Sequence, residues 1–312
     1  MVMKKKRVLV VLGGTSKERN VSLDSGKACI KAIKRLGHTI ITFDPAKKGF
    51  NEIIKLKVDI IFNALHGKDG EDGHAQSHFE YLKIPYTHSG VISSMHAMDK
   101  AVSKKIFLKN KIITPKYFVL NVLNYKNKNP LRKLIKKNRL TFPVVVKPTN
   151  EGSSIGVRIC KNLQRLNFET KSLFKNYKNL IFEKYIKGKE IQVAVFNGKA
   201  LGAIELKPKR SFYDYKAKYT KSAKTLHIMP ADISKKKYKE VLKISEKAHK
   251  SLKCRGVTRS DFKLTNNKFY LLELNTQPGM TNLSLVPEIA KYKGIKFDTL
   301  VKKMILDASI DR

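Results

Sequence analysis

Acidic residues are scarce in this 312-residue chain: 25 Asp and Glu face 65 Lys and Arg, a formal net charge of +40. Cysteine is scarcer still. Cys29, Cys160 and Cys254 lie far apart and lack the close spacing of thiolate metal ligands, so reduced thiols in a cytoplasm are expected. No apolar run approaches the ~20 residues of a membrane-spanning helix. The basic start, Met1 to Arg7, leads into Val8–Leu12, which stops at Gly13-Gly14. That is too short for a signal-peptide core and suits a first strand entering a glycine turn. Internal repeats and long biased tracts are absent too. What remains is a chain 42% hydrophobic, expected to be soluble and globular, with room for two or three domains.

The positive charge invites a nucleic-acid reading, and two features weaken it. The lysines are spread through every predicted helix and loop, with no block or tail. Arginine, the residue of base and phosphate forks, is scarce beside lysine. Abundant Lys, Asn and Ile look like compositional bias, with lysines on solvated faces.

The first third alternates strand and helix. "RVLVVLGG", "HTIITFD" and "VDIIFNALHG" read as strands, and "VSLDSGKACIKAIKRLG" reads as an amphipathic helix closed by Gly37. This order predicts a parallel sheet whose ligands sit at the strands' C-terminal ends, beside Gly13-Gly14, Glu18 and His66. From about residue 97 the pattern changes. "MDKAVSKKIFLKN" is a predicted helix, and "FPVVVKPTN" a strand with Lys147 near its end. "NLIFEKYI" and "IQVAVFNGKALGAIEL" are antiparallel strands turning at Asn197-Gly198. Ser234 caps a helix expected to run to Cys254. "VTRSDFKL" and "KFYLLELN" form a last hairpin around Asn266-Asn267.

In "YLLELNTQPGMT", alternation puts Glu273 and Asn275 on one strand face. A carboxylate inside an apolar strand is costly unless something pairs with it. One reading is an edge strand whose polar face meets water. The other brings Asp261 beside Glu273 or Asn275 through the hairpin, making the hard oxygen cluster that Mg²⁺ prefers. "VVVKPTNEGSSIGV" has its own pair of readings: an ordinary hairpin loop, or backbone amides cradling phosphate with Lys147 adding charge. It is not a Walker loop, because its lysine precedes the glycines.

Taken in order, "GGTSKERNVSLDSG", "ALHGKDGEDG", "MDK", "VVKPTNEGSSIGV", "FEKYIKGKEIQVAV", "FYDYKAKY", "RSDF" and "LLELNTQPGMT" strongly resemble the D-alanine–D-alanine ligases, ATP-grasp enzymes of peptidoglycan synthesis. The resemblance runs from about Val8 to Leu306. It implies an α/β chain: an N-terminal parallel-sheet domain binding substrate (1–97), then a central (98–186) and a C-terminal (187–312) ATP-grasp subdomain. Lys100, Lys147 and Ser154 would meet the phosphates of ATP, Glu183-Lys184-Tyr185-Ile186 would line adenine, and Glu190 would hold the ribose. Asp261, Glu273 and Asn275 would carry two Mg²⁺ or Mn²⁺ ions. Glu18 would bind the ammonium of the first D-alanine, His66 would lie near its carboxylate, and Ser153 and Tyr219 would complete a hydrogen-bonded trio with Glu18. Arg259 and the amide of Gly279 would stabilise the oxyanion, while Ser284, Leu285 and Lys218 would hold the second D-alanine.

The resemblance further implies a cytoplasmic homodimer acting on D-alanine and ATP, without specific nucleic acid or membrane. "SFYDYKAKYTKSAK" would serve as a lid over the site. Several structural alternatives stay open. Arg259 could simply pair with Asp261, His66 could be a turn residue, and Lys218 and Tyr219 an exposed loop pair. Ser77 stands where the family often has glycine, which questions packing there and not chemistry.

Overall fold

Four apolar residues in succession make β1 (Arg7–Val11) a strand for burial on both faces, and Val8 through Val11 are fully buried. A computed structural model of the chain describes residues 4–128, 131–208, 225–281 and 283–310. Within them β1 is the centre of a parallel sheet, flanked by β2 (Thr39–Phe43) and β3 (Ile60–Asn63). Helix α1 (Arg19–Arg35) covers one face through Cys29, Ala32 and Ile33. Gly37, at φ +83°, turns the chain out of it as expected. The third strand stops earlier than the sequence suggested. Asn63 Oδ1 accepts from the Leu65 amide at 3.2 Å, folding the backbone over before His66.

Helices α2 (His74–Tyr81) and α3 (Val91–Met98) lead to α4 (Lys100–Lys109), which Asp99 caps by accepting from the Ala101 and Val102 amides. Helix α3 lies where the sequence marks only a change of domain near residue 97. Ser77 is exposed on α2 and its hydroxyl bonds its own helix at His74 O, so no packing depends on a glycine.

The second sheet is antiparallel, in the order β4 (Tyr117–Asn121), β7 (Asn179–Lys184), β5 (Val144–Pro148), β6 (Arg158–Cys160). Helices α5 (Val122–Lys128), α6 (Leu131–Lys137) and α7 (Leu163–Leu173) accompany it, and Leu131, Ile135, Leu166 and Leu173 share its core. The third sheet runs β10 (Leu226–Ile228), β9 (Lys199–Lys207), β8 (Lys189–Phe196), β11 (Val257–Thr265), β12 (Lys268–Asn275), also antiparallel.

Helix α8 (Lys235–Ser251) packs on this sheet through Val241 and Ala248, capped by Ser234. It ends at Ser251 and not at Cys254, because Lys253 takes a left-handed φ of 54°. Helices α9 (Leu285–Tyr292) and α10 (Phe297–Asp307) then insert between the first and third sheets. Val286, Ile289, Val301 and Met304 share one core with Val8, Phe62, Ala194 and Ile204. The chain's last described element therefore completes the first sheet's core. Among the described residues no helix is long and apolar enough to cross a membrane.

Candidate active site

The second and third sheets border an open cleft. Its walls include Lys100, Lys147, Ser154, Glu183, Lys184, Tyr185, Ile186, Glu190, Asp261 and Glu273. Every residue that the sequence assigned to nucleotide is there, with two of the three assigned to metal. A second, open pocket is lined by Ser153, Arg259, Asn275 and Glu71. Lys100, Glu151 and Glu273 line both, so the two chambers meet at these side chains.

The last hairpin sets the metal-type cluster. Asp261 lies directly opposite Glu273, and Arg259 opposite Asn275. Of the two pairings the sequence left open for Asp261, the register selects Glu273. A bulge follows at once, so Phe262 pairs with Leu271 and Leu272 is the extra residue. Leu271 stays in the core while Leu272 and Glu273 both line the cleft. Asp261 is buried and gripped by Arg259 through two bonds, Nε to Oδ1 at 2.8 Å and Nη2 to Oδ2 at 3.0 Å. Glu273 Oε2 lies 3.3 Å from Lys100 Nζ. Asn275 Oδ1 accepts from the Gln277 amide at 2.7 Å.

Two carboxylates and an amide oxygen at one strand end suit a hard divalent cation that keeps substrate oxygens in its sphere. Among the described residues no group of three or more His, Cys, Asp and Glu is placed to hold a metal ion.

A buried ionic triad underlies the cleft. Glu183 Oε2 meets Lys147 Nζ at 3.0 Å and Oε1 meets Lys104 Nζ at 3.1 Å, the latter off hydrogen-bond alignment. Burial pushes the Lys104 ammonium down to about 8, against the pull of Glu183. Burial acts to raise Glu183, yet Lys104 and Lys147 together hold it below its ordinary value. Glu190, the candidate ribose partner, accepts from Lys263 at 2.9 Å. Lys104 and Lys263 escaped the sequence reading. Lys104 stands one helical turn from Lys100 on the same face, a signal lost among so many lysines.

Glu18 stands at the N-cap position of α1 but makes no side-chain capping bond; its carboxylate is buried, and the Ser153 hydroxyl donates to its Oε1. Two glycines make room for it. A Cβ at Gly67 would lie 2.7 Å from Glu18 Oε2, and one at Gly152 would lie 2.8 Å away. His66 is buried, with Nδ1 3.1 Å from Gln277 O and 3.2 Å from Glu71 Oε1, and Nε2 3.0 Å from Ser25 Oγ. Because Gln277 O can only accept, Nδ1 carries a proton. Ser25 in turn accepts from the Met280 amide at 3.1 Å. His66 thus ties the turn after β3 to the turn after β12, which goes beyond the simple turn residue considered from sequence.

Gly279 has a local reason: a Cβ there would come within 2.7 Å of Ser284 Oγ. Ser284 Oγ accepts from the Thr281 amide at 2.9 Å and begins α9. The Leu285 side chain belongs to the core, so only its backbone at the helix start can face a ligand. Lys218 and Tyr219 lie outside the described residues.

Comparison with known proteins agrees along the whole length. The family profile described as D-ala D-ala ligase C-terminus matches residues 106–306, and its N-terminus counterpart matches 45–89. A D-alanine–D-alanine ligase of Pelagibacter ubique is 55% identical over 307 residues, covering 98% of this chain and 99% of that one. The Rickettsia felis ligase is 43% identical, covering 98% and 93%. Among solved structures, the Bacillus anthracis D-alanine–D-alanine ligase complexed with ATP superposes with a TM-score of 0.84 at 32% identity, covering 97% of both chains. The VanG D-Ala:D-Ser ligase of Enterococcus faecalis gives 0.84 at 28%, covering 97% and 99%. With the profile covering most of its length and full-length relatives above 40% identity, the chain belongs to the D-alanine–D-alanine ligase family.

Proposed function

We propose that this chain joins two D-alanines into D-alanyl-D-alanine, consuming ATP through a D-alanyl phosphate. The observation that carries the proposal is the meeting of two chambers at Lys100, Glu151 and Glu273. One chamber has the walls for a nucleotide; the other holds Ser153 and Arg259 next to buried Glu18. A carboxylate placed between them can reach a γ-phosphoryl group.

Like charges meet in that step. Lys100 and Lys147 face the phosphates and offset the repulsion, a fixed electrostatic term that usually dominates such catalysis. Lys147 is held in place by Glu183. Because both Glu183 oxygens already face lysines, its carboxylate acts on Lys147, while the segment through Lys184, Tyr185 and Ile186 lines the base. Asp261, Glu273 and Asn275 would hold Mg²⁺ or Mn²⁺, which when bound neutralises phosphate oxygens. Glu18, steadied by Ser153, takes the ammonium of the first D-alanine, near His66.

Arg259 and the Gly279 amide face the oxyanion formed when the second amine attacks. The start of α9, at Ser284 and Leu285, receives the second carboxylate. Family membership supports a cytoplasmic homodimer with D-alanine and ATP as its substrates. The residues assigned to domains 1–97, 98–186 and 187–312 follow the same reading.

Phosphate release with ATP, Mg²⁺ and D-alanine tests the whole, with L-alanine as control. D-alanine-dependent release with dipeptide formed in equal amount is the expected result. Release that ignores the amino acid would refute it. Offering D-alanine with D-serine and D-lactate, followed by product analysis, should return D-alanyl-D-alanine as the main product.

A further inference from the structure

We propose that Lys17, Glu151 and Tyr177 form a clasp that keeps the loop 151–155 shut over the reacting carboxylate, with Lys17 as its positioning residue; the proposal rests on the ligase reading above. Lys17 precedes Glu18, beside the first sheet, whereas Glu151 follows β5 and Tyr177 precedes β7 in the second. Lys17 Nζ donates to Glu151 Oε1 and to Tyr177 Oη, both at 3.1 Å. Tyr177 Oη donates to the same Glu151 oxygen at 2.9 Å, closing a ring of three groups. The ammonium also lies 5.4 Å from the centre of the Tyr177 ring.

Glu151 is gripped from its other side as well. Its carbonyl accepts from Lys100 Nζ at 2.6 Å, so Glu151, which lines both chambers, is fixed at both its backbone and its side chain. The segment that follows needs such fixing. A Cβ at Gly152 would collide with the Glu18 carboxylate, Ser153 bonds it, and Ser153 and Ser154 hold left-handed φ values of 47° and 61°. Neither is glycine, and two such residues in a row persist only where the surroundings enforce them.

Releasing Glu151 would let this segment relax and open the wall between the chambers. Water would then reach the D-alanyl phosphate. It would add to the carbonyl carbon, the carbon–oxygen bond to phosphate would break, and ATP would be spent without dipeptide. The effect is bounded by exposure. The Lys17 side chain is 62% accessible, and ion pairs that open to water shift an equilibrium by about two- to fivefold.

Hydroxylamine intercepts an acyl phosphate as a hydroxamate, so the test counts D-alanine hydroxamate per ADP with the full chain, ATP, Mg²⁺ and D-alanine. Relative to the parent, Lys17→Met should raise this yield about two- to fivefold at an unchanged melting temperature. Tyr177→Phe should raise it less, and Lys17→Arg should return it to the parent value. Added salt should raise the leak in the parent and leave Lys17→Met flat, a response that general loosening of the fold would not produce. A parent-like yield in Lys17→Met, or the same salt response in both, overturns the clasp. A parent that consumes no ATP with D-alanine overturns the ligase reading beneath it instead.

Discussion

Single side chains in this site are held in place by opposite charge, and each pairing makes a substitution informative. Glu273 faces Lys100 and lies across from Asp261. Glu273→Gln keeps the shape and removes the charge, so phosphate release should fall by at least about 100-fold, as when a preorganised electrostatic group is lost. Its melting curve should stay near the parent's. Full turnover at matched stability would remove Glu273 from the metal site. Lys104 lies deeper and is fully buried. Lys104→Met leaves Glu183 with one cation instead of two. Breaking a buried ionic group typically costs roughly 3 kcal/mol or more, so chemical denaturation should show a loss of that order, together with a raised KM for ATP as Lys147 is drawn toward Glu183. An unchanged KM would mean that Lys104 supports the fold alone.

At the scale of elements, the glycine turn after β1 is held by Asp44, which follows β2. Asp44 accepts from the Gly14 amide at 3.0 Å and from Arg19 at 3.1 and 2.7 Å. Hydrogen bonds from Arg19, with the backbone amides adding to them, depress its carboxyl from 3.8 to about 2. A carboxyl depressed on folding adds stability above its ordinary pKa and loses it as pH falls toward the folded value. After allowance for solvent screening, this group should contribute about 1 kcal/mol at neutral pH, lost between pH 4 and 2. Asp44→Asn should lack that part of the acid transition in urea titrations; an identical transition would sink the assignment.

The elements themselves were largely legible in the sequence, because periodicity and turn residues speak directly. The Asn266-Asn267 hairpin and the Ser234 cap are examples. The bulge at Leu272 was not legible, since nothing local marks which residue the core will leave out. Nor were α3 and the early end of α8, where a left-handed Lys253 overrides an apolar pattern that continues to Leu252. The candidate site was legible as motifs, and its second ring of partners, Lys104, Gln277, Tyr177, was not. Those contacts join residues far apart in the chain, and many use lysines that composition alone would explain. Gly152→Ala tests one such contact: the added Cβ should displace Glu18 and raise the KM for D-alanine while ATP binding holds. Unchanged kinetics would show that the Glu18 carboxylate has room to spare.

For the whole molecule, +40 is the dominant electrostatic fact, and the site shows that only a few of those charges are engaged in chemistry. Binding to random-sequence DNA should be weak and should fall steeply with salt, by tenfold or more between roughly 50 and 200 mM. Fluorescence anisotropy on two unrelated duplexes would check this. Tight or sequence-selective binding that survives salt would give the charge a second purpose.

The return of the last helix to the first sheet has a consequence in time. Tyr86 and Ser309 exchange backbone bonds at 3.2 and 3.3 Å, and Arg255 bridges their two carbonyls at 2.7 and 2.9 Å. Val8 and Phe62 wait for Val301 and Met304. On a ribosome adding ~5–20 residues per second, the first strand leaves on the order of tens of seconds before the last helix that packs on it. Through that interval the part of its apolar face that α1 leaves uncovered is open, and like charges spaced along the nascent chain are what hold neighbouring copies apart.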